Sequence, residues 1–134
     1  MREETLESRI IFEGNVINVH VDKVRLPNGE VGEREIVDRI DGVSILPIRE
    51  DGKVLLIKQY RHAQGEICWR LPGGGIEGGI QSPTEAPEEA AQRELHEEIG
   101  YNARNLDLLF ISGGSGTINQ RVYHYLATDL YGPE

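Results

Sequence analysis

The sequence predicts a single α+β domain, and three features of the 134-residue chain support this fold class. The length suits one hydrophobic core but leaves no room for a second ordinary domain. Most of the chain divides into short β-type segments separated by turn residues, whereas only one segment has the apolar period of a helix. The composition, 38% hydrophobic and 28% charged, is typical of soluble globular proteins.

The first forty residues are predicted to form an antiparallel β segment. Residues 16–24 alternate apolar and polar side chains, and Pro27-Asn28-Gly29 supplies a turn before the next β-type run at residues 31–37. We therefore expect residues 1–40 to form an N-terminal β segment and residues 41–134 to form the main domain.

The main domain begins with apolar runs that predict buried strands. Residues 42–48 and 54–57 are two such runs, and the turn dipeptide Asp51-Gly52 between them predicts a hairpin. Residues 67–71 predict a short strand that leads into a run of glycines. Near the end of the chain, residues 106–111 and 122–127 predict two more strands, separated by turn-forming residues.

One segment, residues 86–99, is predicted to be helical. Pro87 suits the first turn, where the missing N–H of proline is not needed, and Gly100 suits the left-handed position after the last turn. At about 100° per residue, Ala91, Leu95 and Ile99 form an apolar stripe that should face the core.

Three carboxylates of this helix are candidates for binding a metal ion. Glu94, Glu97 and Glu98 fill an arc beside the apolar stripe. In an isolated helix, like charges one turn apart cost about 0.2–0.5 kcal/mol, and a divalent cation would reverse that sign. Closely spaced carboxylate oxygens suit Mg²⁺, with Mn²⁺ as the second choice. A glutamate-rich solvated helix would have the same pattern, so the spacing alone leaves both interpretations open.

The charge and the cysteine content narrow the class of protein. With 14 basic and 23 acidic residues, the net charge of −9 argues against nucleic-acid binding. A small polyanionic substrate would also be repelled unless local cations or metal ions neutralise it. The single cysteine, Cys68, and the lack of an apolar run of roughly 20 residues predict a cytoplasmic protein that does not bind membranes.

A longer motif surrounds the three glutamates and resembles the signature of the Nudix hydrolase family. That signature consists of Gly, five residues, Glu, seven residues, Arg-Glu, an aliphatic residue, any residue, Glu-Glu, any residue and Gly. Every specified position from Glu85 to Gly100 matches, including Arg93-Glu94-Leu95 and Glu97-Glu98. The upstream run Pro72–Gly79 fits the family's glycine-rich loop best if residues 80–84 are an insertion, and the motif then spans residues 74–101.

The resemblance implies a fold and a set of residue roles. The fold is a Nudix-type α/β/α sandwich with a mixed sheet, here without the family's closing C-terminal helix. The implied roles are metal ligation by Glu94, Glu98, Glu97 and the Gly73 carbonyl, catalysis by Glu97, Glu98, Glu94 and Arg93, substrate binding by Arg61, Gly74 and Gly75, and structural support by Glu85 and Gly100.

Segments outside the motif are similar to the ADP-ribose pyrophosphatase branch of the family, which splits nucleoside diphosphate sugars. These segments are residues 34–37, 54–61 and 69–74. In that branch the N-terminal sheet forms a homodimer, and an arginine at the position of Arg61 meets the substrate phosphates. The resemblance therefore implies a homodimer that hydrolyses ADP-ribose to AMP and ribose 5-phosphate with Mg²⁺.

Two departures from the family pattern bear on this assignment. Arg70 stands where relatives often have an acidic residue. Relatives also continue for several dozen residues past the strand at residues 121–127, and that extension often carries the catalytic glutamate. We therefore expect a truncated chain, a short family member or a domain completed by its dimer partner, with Glu97 as the candidate base within the motif.

Three other interpretations are weighed against this one. Gly73, Gly75 and Gly78 match the dinucleotide-binding fingerprint, but that fingerprint must open a helix directly, and Gly79, Pro83 and Pro87 intervene. A Nudix-fold module that binds a nucleotide without cleaving it is a second alternative. Hydrolysis of dinucleoside polyphosphates or oxidised nucleoside triphosphates is the third.

Overall fold

The computed structural model describes residues 1–133, and this part of the chain contains twelve β-strands and one α-helix. In chain order the elements are β1 (Glu4–Glu13), β2 (Ile17–Arg25), β3 (Val31–Arg39), β4 (Gly42–Pro47), β5 (Ile57–Arg61), β6 (Glu66–Arg70), β7 (Gly73–Gly75), β8 (Gly78–Gly79), β9 (Ser82–Pro83), α1 (Pro87–Ile99), β10 (Asn102–Ser112), β11 (Ile118–Asn119) and β12 (Val122–Tyr131). The α+β class predicted from the sequence is confirmed.

The N-terminal sheet has the strand order β1-β2-β3-β11. The first three strands pair antiparallel, and the short β11 adds to β3 in parallel. The alternating runs at residues 16–24 and 31–37 are strands, as predicted. The sequence indicated no particular strand before residue 16, because β1 is exposed along its whole length and lacks a clear apolar period. Its pairing with β2 is what makes it a strand.

The second sheet has the order β10-β12-β4-β7 and is mixed. Strands β4 and β12 run parallel, whereas β10 and β7 pair antiparallel with their neighbours. Helix α1 packs on this sheet and supplies three buried side chains. The core consists of Val43, Ile45, Ile76, Ala90, Ala91, Leu95, Ala103, Tyr125 and Ala127. The apolar stripe predicted for the helix therefore faces the core.

The helix begins and ends as the sequence predicts. Pro87 is its first residue, and Gly100 follows its last turn in the left-handed conformation with φ of 77°. The Gly100 N–H donates to the His96 carbonyl at 2.9 Å and so satisfies one of the free carbonyls of the last turn. The helix is not long and apolar enough to cross a membrane, and it is the one helix among residues 1–133.

The predicted strand at residues 54–57 is largely wrong. Only an isolated bridge between Ile48 and Val54 forms after the Asp51-Gly52 turn, and the next strand, β5, starts at Ile57. The reason is that β7 pairs with residues 42–44 of this edge of β4 and the Pro72 carbonyl accepts from the Ile45 N–H, so the hairpin can pair only with Pro47 and Ile48 at the end of the strand. Strand β5 pairs instead with β6, which covers most of the strand predicted at residues 67–71.

Residues 38–41 connect the two sheets and are held by the segment before β12. The Asp38 carboxylate accepts a hydrogen bond from the Asn119 side chain at 2.9 Å, and the Asp41 carboxylate accepts one from the Arg121 N–H at 2.8 Å. The Gln120 side chain donates to the Ile40 carbonyl at 3.0 Å. These bonds fix the junction at which Arg39 leaves the N-terminal sheet.

His20 of β2 contacts this junction at Asp38 and also contacts Asp22 of its own strand. Its Nδ1 lies 2.8 Å from Asp22 Oδ1, and its Nε2 lies 2.9 Å from Asp38 Oδ2. The hydrogen bond with Asp22, helped by the negative charges of Asp22 and Asp38, raises the pKa of His20 above 6.5 despite partial desolvation. The stabilisation from protonated His20 is thus complete below pH 6.5 and disappears as the pH rises through the higher folded-state pKa.

We expect His20→Gln to lower the free energy of unfolding most near about pH 6 and progressively less toward about pH 9. Denaturant unfolding at a series of pH values measures this difference from wild type. His62→Gln, which replaces an exposed histidine, is the matched control and should show no such trend. A His20→Gln effect that stays constant across the range would contradict the charged pair.

Candidate active site

A cleft of about 650 Å³ lies where the two sheets, the β5–β6 hairpin and helix α1 meet. This volume is within the range of small-molecule sites. The carboxylates of Glu94 and Glu98 line the cleft together with the arginines Arg39, Arg61 and Arg70. The cleft therefore combines an acidic cluster that suits a cation with basic side chains that suit an anion.

Glycines bring the chain close to the helix at this point. Strand β7 pairs with β4, and a Cβ on Gly73 would collide with the Val43 carbonyl. A Cβ on Gly74 would lie 2.5 Å from Glu94 Oε1. Because side chains are absent here, the helix carboxylates can approach the strand backbone. Gly74 and Gly75, which the sequence placed beside the substrate, both line the cleft.

Arg93 connects the helix to the loop that precedes it. Its guanidinium donates to both carboxylate oxygens of Glu85, at 2.8 and 2.9 Å, to the Gly75 carbonyl at 3.0 Å and to Glu94 Oε1 at 3.0 Å. The hydrogen bond from Arg93 is the main cause that lowers the pKa of Glu85, so this carboxylate is ionised at neutral pH. Arg93 thus holds the loop, the strand β7 and a candidate metal ligand in one arrangement.

The inserted residues 80–84 contact the N-terminal sheet, because the Gln81 side chain donates to Asp38 Oδ1 at 3.0 Å. They belong to a small hairpin in which β8 pairs with β9. The N–H groups of Thr84 and Glu85 then both donate to the Glu77 carbonyl, at 2.9 and 3.3 Å. The chain therefore returns to Glu77 after the hairpin, which supports the interpretation of residues 80–84 as an insertion.

Glu98 and Glu94 have different surroundings. Glu98 accepts from the Gly73 N–H at 2.7 Å and from Arg70 Nη1 at 3.1 Å. The pKa of Glu94 is raised, chiefly because the group is partly buried; the hydrogen bond from Arg93 opposes this shift, and the charges of Glu98 and Glu97 add to it. A divalent cation would offset both the desolvation and the repulsion, so the position of Glu94 favours metal binding.

Glu97 is placed differently from the other two motif glutamates. It does not line the cleft, its side chain is 55% exposed, and its carboxylate contacts Arg93 Nη1 at 3.3 Å. Within residues 1–133 no three His, Cys, Asp or Glu side chains converge closely enough to enclose a metal ion. The predicted role of Glu97 as a third ligand or base would require its side chain to turn.

The remaining donor set nevertheless fits a hard divalent cation. Glu94, Glu98 and the Gly73 backbone provide oxygen atoms at one wall of the cleft, and an Arg70 guanidinium lies against two of them. Mg²⁺ commonly binds one or two protein carboxylates and takes its other oxygens from water and substrate phosphates. Two carboxylates and a carbonyl that already attract a cationic group match this requirement.

The cleft also contains residues that the sequence did not single out. Arg39 and Gln59 line it beside the predicted substrate residue Arg61, whose Nη1 donates to Gln59 Oε1 at 3.1 Å. Arg39 ends β3 of the N-terminal sheet, whereas Gln59 lies in β5 of the β5–β6 hairpin, so the packing of two separate sheets around the cleft brings them together. Gln59 lies two positions before Arg61 on the same strand, so alternation along β5 could have indicated it, whereas no local spacing connects Arg39 to Arg61.

Comparison with known proteins agrees with this geometry. The sequence-family model of the NUDIX domain matches residues 38–132. The chain belongs to the Nudix family. The model of the nucleoside diphosphate sugar hydrolase N-terminal domain matches residues 3–37 of this Nudix hydrolase. The resemblance read from the motif is therefore confirmed.

Individual relatives extend the similarity over nearly the whole Nudix chain. The chain is 36% identical over 131 residues to the ADP-ribose pyrophosphatase of Bacillus subtilis. The aligned region covers 97% of this chain and 68% of that protein. It is 33% identical over 129 residues to the methanol dehydrogenase activator of Bacillus methanolicus, covering 96% of this chain and 67% of the relative. The crystal structure of an ADP compounds hydrolase superimposes with a TM-score of 0.85 at 25% identity, covering 98% of this chain and 69% of that one. The Nudix-type fold is thus confirmed.

Arg93 and Glu85 should be energetically coupled, because their side chains are only 22% and 12% exposed and form a two-pronged pair. We expect Arg93→Gln and Glu85→Gln each to cost about 2 kcal/mol of unfolding free energy, with a coupling energy of about 1 kcal/mol or more. Urea unfolding of the wild type, the two single variants and the double variant gives this coupling energy as a double-mutant cycle. The matched control is the pair Arg104 and Asp129, which is at least half exposed and should couple by less than about 0.5 kcal/mol. Additive effects of the Arg93 and Glu85 substitutions would refute this assignment.

Proposed function

We propose that this Nudix hydrolase splits the pyrophosphate bond of a nucleoside diphosphate sugar, with ADP-ribose as the best candidate and AMP and ribose 5-phosphate as products. The observation that carries the proposal is the single cleft that contains both helix carboxylates and three arginines. The match of residues 3–37 to a nucleoside diphosphate sugar hydrolase N-terminal domain supports the substrate class. The similarity to the ADP-ribose pyrophosphatase of B. subtilis and to the ADP compounds hydrolase supports ADP-ribose as the substrate.

The arginines of the cleft can offset the repulsion between an anionic substrate and a protein whose net charge is −9. Arg39 and Arg61 are exposed at the cleft, and each carries a planar guanidinium that can bind phosphate oxygens in pairs. Local positive charge of this kind can attract a diphosphate to a protein whose overall field repels it. We therefore assign Arg39 and Arg61 to the diphosphate of the substrate.

The metal is proposed to be Mg²⁺, with Mn²⁺ as the second choice, held by Glu94, Glu98 and the Gly73 carbonyl. When bound, such a cation neutralises phosphate charge and activates a water molecule for attack at phosphorus. The chain's own residues position the ligands. Arg93 orients Glu94 from the side of the loop, and the Gly73 N–H orients Glu98 from the strand.

Proton removal from the attacking water needs a general base, and we keep Glu97 as the candidate within the motif. Its exposed carboxylate lies one helical turn from Arg93 and contacts it at 3.3 Å. A modest rotation of an exposed side chain would bring the carboxylate toward the neighbouring glutamates. Catalysis through Glu97 therefore requires a conformation that differs from the one described.

The proposed quaternary structure is a homodimer formed by the N-terminal sheet, in a cytoplasmic protein. Ile10, Ile11 and Phe12 of β1 are each more than half exposed, with relative accessibilities of 63%, 55% and 54%. Such a run of exposed apolar side chains is typical of a protein–protein interface. A dimer would cover this part of the sheet.

We expect the chain to release AMP and ribose 5-phosphate from ADP-ribose in the presence of Mg²⁺, because the cleft offers sites for both cation and diphosphate. Chromatographic product analysis measures the reaction, and EDTA should abolish it. Diadenosine polyphosphates and oxidised nucleoside triphosphates serve as the competing panel. Preferential cleavage of that panel would favour the alternative substrates, and binding of ADP-ribose without turnover would favour a non-catalytic nucleotide-binding module.

We expect Glu94→Gln and Glu98→Gln each to lower kcat by about 10²-fold or more, on the order of 3 kcal/mol in the barrier, since each removes a charged ligand oxygen. Steady-state kinetics with ADP-ribose and Mg²⁺ measures the change, and circular dichroism verifies the fold. Glu89→Gln is the matched control, because Glu89 is exposed on the same helix and does not line the cleft. Turnover near that of wild type in both variants would refute the metal assignment.

A further inference from the structure

Arg70 binds two of the oxygen donors that the proposed function assigns to the metal. Its Nη1 lies 3.1 Å from Glu98 Oε2, and its Nη2 donates to the Gly73 carbonyl at 2.9 Å. The side chains of Arg70 and Glu98 are 23% and 15% exposed, so water screens the pair only partly. The guanidinium therefore occupies the space between a carboxylate and a carbonyl that a cation would use.

The other arginine at the carboxylates, Arg93, is held in a different way. It forms a two-pronged pair with Glu85, which is outside the metal set, so this anchor uses none of the proposed ligand oxygens. Arg70 has no comparable anchor. Among residues 1–133 its carboxylate partner is Glu98, and its remaining contacts are the neutral oxygens of Gly73 and Gln59.

We propose that Arg70 is a built-in competitor of the divalent cation and must leave Glu98 and the Gly73 carbonyl when the metal binds. This inference rests on the proposed metal site. Arg70 holds the two ligands in place in the metal-free protein and lowers the affinity for the metal by the free energy of the contacts it gives up. Gln59 Oε1, 3.2 Å from Arg70 Nη1, retains the released guanidinium in the cleft beside Arg61.

The affinity of the 134-residue chain for Mn²⁺, measured without substrate by electron paramagnetic resonance of the free ion, tests the proposal. Arg70→Gln should bind Mn²⁺ about tenfold more tightly than wild type, because the metal no longer displaces a charge-assisted hydrogen bond. Arg70→Lys keeps the charge but cannot bridge both oxygens, so its affinity should lie between the two. Unchanged or weaker Mn²⁺ binding by Arg70→Gln would overturn the proposal.

Arg61→Gln is the matched control, because it removes the same charge from the same cleft without touching a ligand oxygen. Its affinity should change by no more than about twofold, as expected for a screened charge in an exposed position. An equal gain in Arg61→Gln and Arg70→Gln would show a general charge effect and overturn the displacement. Absence of Mn²⁺ binding in wild type and in every variant would refute the proposed metal site itself, and the inference with it.

Nuclear magnetic resonance of the wild-type chain gives a second readout that does not depend on the folding of a variant. Saturation with Mg²⁺ should shift the side-chain Nε–Hε signal of Arg70, because its partners change from charged to neutral oxygens. The signal of Arg104, which is paired with Asp129 away from the cleft, should stay in place. An Arg70 signal that does not move while Mg²⁺ binds would overturn the proposal.

Discussion

The arrangement of the site depends on the guanidinium of Arg93. A single planar group contacts the carboxylate of Glu85, the carbonyl of Gly75 and the carboxylate of Glu94. Between the buried residues Pro72 and Ile76 the segment consists of three glycines without side chains to pack, and Arg93 of the helix holds this part through the Gly75 carbonyl. Removal of Arg93 would leave Glu85 without its charged partner in a poorly hydrated position, which is more costly than the loss of a solvent-exposed pair.

The local distribution of charge in the cleft explains how a protein of negative net charge could bind an anionic substrate. Acidic side chains are gathered on one face of α1, and basic side chains from β3, β5 and β6 border the same cleft. Arg70 contacts Glu98 and so neutralises part of the acidic cluster. If the proposed metal site exists, competition between Arg70 and the metal sets the affinity for the metal.

The helix and the position of its carboxylates beside the apolar stripe could be predicted from the sequence because the relevant signals are local. Pro87 and Gly100 define the ends, and the apolar period places Leu95 toward the core and Glu94 beside it. The strand at residues 54–57 could not be predicted correctly, because its fate depends on which edges of β4 are free. Strand β1 was not identified for a similar reason: it is fully exposed and exists through its pairing with β2.

The sequence by itself determined the α+β class, the boundaries of the helix and the family, since each depends on residue types at short, regular spacing. Only the tertiary structure decided the shape of the cleft. It brings Arg39 and Arg61 together from separate strands, leaves Glu97 outside the lining of the cleft and places Arg70 against Glu98, which is 28 positions away in the chain. Contacts of this kind depend on strand order and on the direction of side chains, and neither is encoded in the spacing of a motif.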